Sequence, residues 1–324
     1  MAKQSYSSLG SAFVLGFCLS QTLRDIYFGH VFQDVDFFAV ILVAFLLSTV
    51  LFAGIAMLRS PGQFGALRGK FRLLLALNLT TALAWSCYFF ALTHLEPAIV
   101  NTIHSGMAPL TVVALVAFGA PLAQTAKIGH GEYLSHAGIG LALIGLCWVA
   151  VSGASGLQGA ETTTIVGLAA VTVSGTSITI SLLLCKRLHD SGISAETVTT
   201  VRYLALIAIA AMVVFKQGEL RGVSGTAELT TLAALATALI VIPLFVLQLG
   251  IARTAPLTAH ILRALSPVFV FAAQQLDGRL SYSTPTLICI LAYSAVAIAG
   301  ALAHSLPGSA WSLKSLKWQS RTQV

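Results

Sequence analysis

Charge is what this sequence has least of. Asp, Glu, Lys and Arg make up only 9% of its 324 residues, against about 25% in an average soluble domain. That is too little charge to wet the surface of a globule this size. A soluble enzyme, a disordered chain and a nucleic-acid-binding domain are excluded on this ground, and no basic block accompanies the net charge of +7. Cysteine is sparse in pattern as well. Cys18, Cys87, Cys147, Cys185 and Cys289 lie far apart in apolar runs, with no CxxC pair and no metal-ligand spacing. They read as small packing residues, so neither metal nor other cofactor is expected. Walker A, HExxH, GxSxG and Asp-rich paired motifs are all missing, which argues against direct ATP use and against the commonest hydrolase chemistries. The N-terminus has no basic segment followed by a small-residue cleavage site, so its first apolar stretch is expected to be a retained span.

What is abundant is apolar surface. Hydrophobic residues reach 57%, and the mean hydropathy is +0.89. A membrane helix takes about 20 mostly apolar residues, and ten stretches qualify. They are 8–23 (extending toward Phe28 past Arg24 and Asp25), 35–57, 71–93, 97–118, 136–152, 164–185, 197–215, 230–251, 255–276 and 284–303. The linkers are short and marked by Gly, Pro and charge, as in Arg59-Ser60-Pro61-Gly62-Gln63. The chain is therefore expected to be an all-α polytopic membrane protein of ten transmembrane helices.

The basic residues give the orientation. With the N-terminus inside, twelve of the 18 fall in inside linkers and tails, and four (Arg24, Lys216, Arg221, Arg279) in outside ones. This asymmetry is the positive-inside pattern, and it puts both termini in the cytoplasm. The tail stretch from Trp311 to Trp318, with Lys314 and Lys317, reads as an interfacial anchor or a frayed terminus.

Ten spans divide into two fives, 1–153 and 154–305, with a cytoplasmic tail at 306–324. Halves with an odd number of spans face opposite ways, which makes an inverted repeat. A shift of 158 residues superposes Ile103 on Ile261 and Pro109 on Pro267. Each half closes with a Gly/Ala-rich span, one holding Gly138, Gly140 and Gly145, the other Gly300.

Two arginines, Arg202 and Arg263, remain inside spans. A charge in the bilayer costs about 2.5–3.5 kcal/mol on insertion scales and is a functional candidate by default. No Asp or Glu is expected at their depth, since Glu96 falls at a turn and Asp25 near a span end. An arginine fork facing a wet cavity suits a carboxylate or phosphate. The competing reading is a snorkelling side chain. His260 lies three residues before Arg263 and His104 three after Asn101, so each pair shares a helix face. His104 and His260 could carry a coupled proton, or be satisfied buried histidines. Asn78, Trp85 and Tyr88 in the third span could line the cavity, or serve helix packing, and Gln248 is a secondary candidate. Pro109 and Pro267 can kink their helices and act as hinges.

The stretch Ala91–Pro109, its counterpart at Gly250–Pro267, Glu132 and Arg202 resemble the drug/metabolite transporter superfamily, and most of all its EamA-type members. The resemblance covers nearly the whole chain. It departs at Asp277, where many relatives have Glu, and at Phe37 and Phe38, where an arginine is common. It implies ten helices in two inverted halves, and export of amino acids or metabolites; related branches exchange sugar phosphates or nucleotide sugars. The expected function is secondary-active, alternating-access transport of a small polar metabolite, an anion or an amino acid. The expected partners are that substrate, protons and the bilayer, with no nucleic acid, in a monomer or homodimer of a bacterial inner or plasma membrane. The alternatives are an exporter of neutral or cationic compounds, which would use aromatics or an intramembrane carboxylate, a membrane-embedded enzyme, and a receptor or assembly subunit.

Overall fold

The computed structural model describes residues 8–60, 62–120, 122, 130–157, 159–217, 225–251, 254 and 256–305. These are helical, with no strand among them. The tail expected as an anchor lies outside them. The helices are α1 Ser8–Val31, α2 Phe37–Arg59, the single turn α3 Gln63–Ala66, α4 Phe71–His94, α5 Pro97–Ala117, α6 His130–Val151 and α7 Glu161–Asp190. There follow α8 Ala195–Arg202, α9 Leu204–Gln217, α10 Thr226–Ala236, α11 Ile242–Ile251, α12 Pro256–Ala264, α13 Ser266–Gln274 and α14 Thr284–Ser305.

Among the described residues, nine helical stretches are long and apolar enough to cross a membrane. α1 is outside that nine. Its 24 residues would reach about 36 Å at 1.5 Å per residue, but they include Ser20, Gln21, Thr22, Arg24 and Asp25. One expectation is corrected here. Arg24 is not a linker residue, nor does Asp25 end a span: α1 runs on to Val31, and both side chains are buried within the bundle.

Local chemistry explains the starts and breaks. The Asp36 carboxylate caps α2 by accepting the Phe38 N–H at 2.7 Å. Pro97 opens α5, where its missing N–H costs nothing. Three expected spans are interrupted. The seventh breaks at Tyr203, between α8 and α9. The eighth widens into a π-turn, Thr237–Val241, just ahead of Pro243, because proline clashes with the carbonyl four residues back and donates no hydrogen bond. The ninth breaks at Leu265, before Pro267. Pro109, by contrast, sits inside a continuous α5.

The helices pair in a definite pattern. α4 and α5 pack on α7, while α11, α12 and α13 pack on α1. α2 packs on α8 and α9, α6 on α14, and α5 on α13. At one end, parts distant in sequence are tied together. Buried Glu96 accepts the Gly156 N–H and, at 3.0 Å, the Gln274 Nε2 donor. Gln274 accepts the Ala98 N–H at 3.1 Å. Arg279 donates to the Gly29 carbonyl at 2.9 Å and forms a fork with Asp277. At the other end, the Ser194 N–H donates to Gln63 at 2.6 Å, and an exposed Arg59–Glu196 pair spans 3.5 Å.

Close approach of α7 to α5 depends on Gly175. A Cβ there would lie 2.7 Å from the His104 carbonyl oxygen and 2.6 Å from Met107 Cβ. Gly175→Ala is therefore expected to cost about 1–3 kcal/mol of stability through overpacking. Gly140→Ala, whose nearest neighbour would be Leu110 Cδ2 at 4.0 Å, should change little. Denaturant unfolding in detergent micelles checks the contrast.

Candidate functional site

The polar centre of the bundle is built on two adjacent charges of α1. The Asp25 carboxylate is fully buried. Its Oδ1 accepts Arg24 Nε at 2.9 Å and Nη2 at 2.6 Å. Its Oδ2 accepts the Tyr88 hydroxyl at 2.7 Å and Asn101 Nδ2 at 2.9 Å. Arg24 Nη2 also donates to the Tyr88 oxygen at 3.1 Å. The guanidinium lies over the rings of Tyr88 and Trp85, 5.1 and 5.5 Å from their centroids, a cation–π arrangement that gains strength away from water. α1, α4 and α5 thus converge on one ion pair, through residues 63 and 76 positions from Asp25. This carboxylate pairs with Arg24; among the described residues no acid pairs with Arg202 or Arg263.

The centre is not saturated. Trp85 Nε1 and Asn101 Oδ1 are sealed from solvent without a hydrogen-bond partner. Among the described residues, Arg24 Nη1 also has no acceptor. A donor or acceptor sealed without a partner costs about 1–3 kcal/mol, so Trp85 Nε1 and Asn101 Oδ1 mark where a polar ligand or water gains most.

His104 sits next to the pair, its ring edge-on to Tyr88 with centroids 4.6 Å apart. Its Nδ1 lies 3.0 Å from Ser174 Oγ, and Ser174 Oγ donates to the Ala84 carbonyl at 2.7 Å. Across from it, α12 presents His260 and Arg263 three residues apart, both exposed. The Arg263 charge acts on Cys18 of α1, His104 of α5 and Tyr293 of α14. Arg263 thus lies within electrostatic reach of these three helices, and its side chain is exposed. Because Pro267 has no N–H, the Arg263 carbonyl also lacks its helical donor.

The remaining candidates lie elsewhere. Arg202 ends α8, where a cation faces free helix carbonyls favourably. It donates to Ser181 Oγ at 3.3 Å and rests 5.1 Å over Tyr203. Tyr203, Phe45 and Trp85 then form a row with centroid spacings of 4.7 and 4.9 Å, an aromatic track from Arg202 to Arg24. Asn78 joins the broken seventh span to α4. Its Nδ2 donates to the Leu74 and Val201 carbonyls at 3.0 and 2.8 Å, and its Oδ1 accepts the Ala205 N–H at 3.0 Å. That is a structural staple on the carbonyls and N–H groups freed at Tyr203. Gln248 belongs to α11, and its side chain lies outside the described residues. The structure thus brings Asn101, His104, Trp85 and Tyr88 together, and the charge of Arg263 on α12 reaches His104; His260 shares the Arg263 helix and makes no contact with this cluster among the described residues. Arg202 and Asn78 stand one aromatic row away. The sequence reading missed Arg24 and Asp25 as site residues. Their signal was an acid and a base side by side with apolar residues on both flanks.

At the tied end, Asp277 is buried, which raises its pKa. Hydrogen bonds from Arg279, reinforced by that residue's charge and by His30, more than offset this and hold the carboxyl below its ordinary value. A depressed carboxyl contributes stability that is present above its unfolded pKa, about 4, and is lost as pH falls through the lower folded value.

Comparisons with known proteins bear on the fold alone. No family model matches the chain, and no curated protein does. A solved structure titled only "Crystal structure of protein" is similar over 93% of this chain and 97% of its own, at 19% identity and a TM-score of 0.59. That likeness concerns fold alone. The class defined so far is an all-helical chain with the apolar helices of an integral membrane protein.

Two predictions follow from the ion pairs. Asp25→Ala leaves the Arg24 charge buried without its partner and should cost about 3–5 kcal/mol, while the double replacement Arg24→Leu with Asp25→Leu should cost less than the single one. Unfolding of the parent and the two variants in micelles tests the order. Asp277→Asn should flatten the fall of melting temperature below about pH 4, seen by comparing thermal scans of variant and parent across that range.

Proposed function

We propose that the chain is a secondary-active transporter, with ten spanning helices in two inverted five-helix halves, of the drug/metabolite transporter kind and closest to its EamA-type members. The observation that carries this reading is a polar centre buried among apolar helices, with an exposed arginine, Arg263, whose charge reaches it and which has no acid partner among the described residues. Structural packing does not call for an unneutralised cation at that place. An anionic ligand does.

Helix pairing supports the two-halves reading. Advance each span by five positions and the pattern repeats: the third and fourth spans pack on the sixth as the eighth and ninth pack on the first. The pairs second–seventh, fourth–ninth and fifth–tenth map onto themselves, as a two-fold axis between halves demands. α1 is the first span in this scheme, the one added to the nine apolar stretches, its Arg24–Asp25 pair shielded from lipid by α4 and α5. The ties of Glu96 to Gln274 and of Arg279 to Gly29 join the two halves at one end, a closed gate. With both termini cytoplasmic, that end is the outer one. Alternating access would open it by breaking these bonds around the central site.

The substrate is a small anion or amino acid whose carboxylate pairs with Arg263. The rival reading, an exporter of cations, gains a carboxylate with aromatic neighbours in Asp25, Trp85 and Tyr88. It loses ground because Arg24 and two further donors already occupy that carboxylate. A substrate cation would have to displace a buried guanidinium.

Flux in proteoliposomes tests the proposal. Arg263→Ala should lower uptake of small carboxylates at least about tenfold, the order expected for one charge-assisted hydrogen bond. Arg263→Lys should keep part of the rate. Unchanged carboxylate uptake in Arg263→Ala would overturn the anion site, and uptake of quaternary ammonium compounds abolished by Asp25→Asn would establish the rival.

A further inference from the structure

We infer that His104 is a specificity-determining acceptor. It is locked as the Nδ1–H tautomer by Ser174, so that its Nε2 lone pair selects carboxylates that also carry an N–H or O–H donor, such as 2-amino and 2-hydroxy acids. The inference rests on the anion-transport reading for Arg263 and deepens it.

The tautomer follows from counting protons. The Ala84 carbonyl oxygen can only accept. Ser174 Oγ lies 2.7 Å from it, a separation that two oxygens hold only with a proton between them. Ser174 has one hydroxyl proton, and it is spent there. The same Oγ lies 3.0 Å from His104 Nδ1, so the proton of that second bond must come from the ring. In the neutral ring Nε2 is then the unprotonated nitrogen. It meets no protein group among the described residues and is not among the side-chain atoms sealed from solvent. His104 itself keeps part of its surface exposed.

Two further features fix this arrangement. Gly175, next to Ser174, has its backbone against the His104 carbonyl and Met107, so no larger residue would let the hydroxyl reach both α4 and α5. The ring stands edge-on to Tyr88, which is itself bonded to Asp25. The charges acting on His104 are Arg24 and Arg263, both cations, and the one acid nearby, Asp25, is bonded to Arg24, Tyr88 and Asn101. The surroundings therefore supply donors, and Nε2 is the acceptor among them. A ligand held by its carboxylate at Arg263 gains from a donor group that meets Nε2, and a plain carboxylate leaves the lone pair unmatched.

The test uses full-length protein in lipid nanodiscs, with nitrogen-15-labelled histidine and the His104 signals assigned by their loss in His104→Gln. At neutral to alkaline pH the Nδ1–H tautomer is expected, and Ser174→Ala should mix the tautomers while leaving the fold intact. An Nε2–H ring in the parent protein would overturn the lock. Binding of alanine, 2-hydroxypropionate and propionate is then compared by calorimetry. The first two should bind about five- to tenfold more tightly than propionate. His104→Phe should bring all three together, and His104→Gln, which retains an acceptor oxygen, should keep part of the preference. Equal preference in His104→Phe and parent overturns the selectivity role. Failure of all three acids to bind overturns the Arg263 anion reading and the selectivity with it, whereas an Nε2–H ring overturns the lock and the acceptor role built on it and leaves the Arg263 anion reading standing.

Discussion

A carboxylate buried in an apolar bundle has to be answered, and the answer given to Asp25 organises this molecule. Arg24, Tyr88 and Asn101 come to it from α1, α4 and α5. Isolated, such a charge costs several kcal/mol even after relaxation; with its partners it fixes the rotation of three helices at once. Trp85 and Tyr88 are set by the same guanidinium. The row through Phe45 to Tyr203 then extends this order to the break between α8 and α9.

Around that centre the breaks in the helices are placed where the chemistry requires free backbone. Tyr203, the π-turn before Pro243 and the interruption before Pro267 each release carbonyls or N–H groups inside an apolar environment. Such irregularity is tolerated where protein groups or a wet cavity satisfy it. Asn78 does this for Val201 and Ala205. At the Pro267 break the neighbouring side chain is Arg263, which is exposed. One break is thus stapled shut by an amide, and the other is left beside an exposed cation, a difference that separates a structural discontinuity from a site.

The all-helical, many-span architecture was legible in the sequence because apolar length and linker chemistry are local signals. α2, α4, α5 and α14 begin and end within a few residues of the stretches read from hydropathy. The first span was the weak point. A hydropathy reading treats Arg24 and Asp25 as two penalties, although together they make a nearly neutral pair, so the stretch was cut short and both residues were assigned to a boundary. The roles of Asn78 and Arg202 could not be read for a different reason. A polar residue in a span looks the same in sequence whether it meets a broken helix or a ligand, and only the partner's position distinguishes them. The Ser174 hydroxyl was visible as one of several small polar residues in its span. Its proton count became meaningful only once Ala84 and His104 were placed on either side of it.

The charge balance of the interior gives the strongest link between this architecture and an anionic cargo. Arg24 is neutralised by Asp25, whereas Arg263 is exposed and has no acid partner among the described residues. On the transport reading, the centre must at some stage be closed from both sides. Stripping water from Arg263 in an empty site would bury an uncompensated cation near Arg24 and His104, which supply no negative charge, and the cost would be several kcal/mol. A bound carboxylate replaces the lost hydration with a charge-assisted fork, so closure is cheaper loaded than empty. A ligand shifts a conformational equilibrium only by its differential affinity for the two states, and the unneutralised guanidinium supplies such a difference. On the proposed transport reading, Arg263 would do more than hold the substrate: its exposure would make closure depend on occupancy, which is the condition for exchange in place of leak.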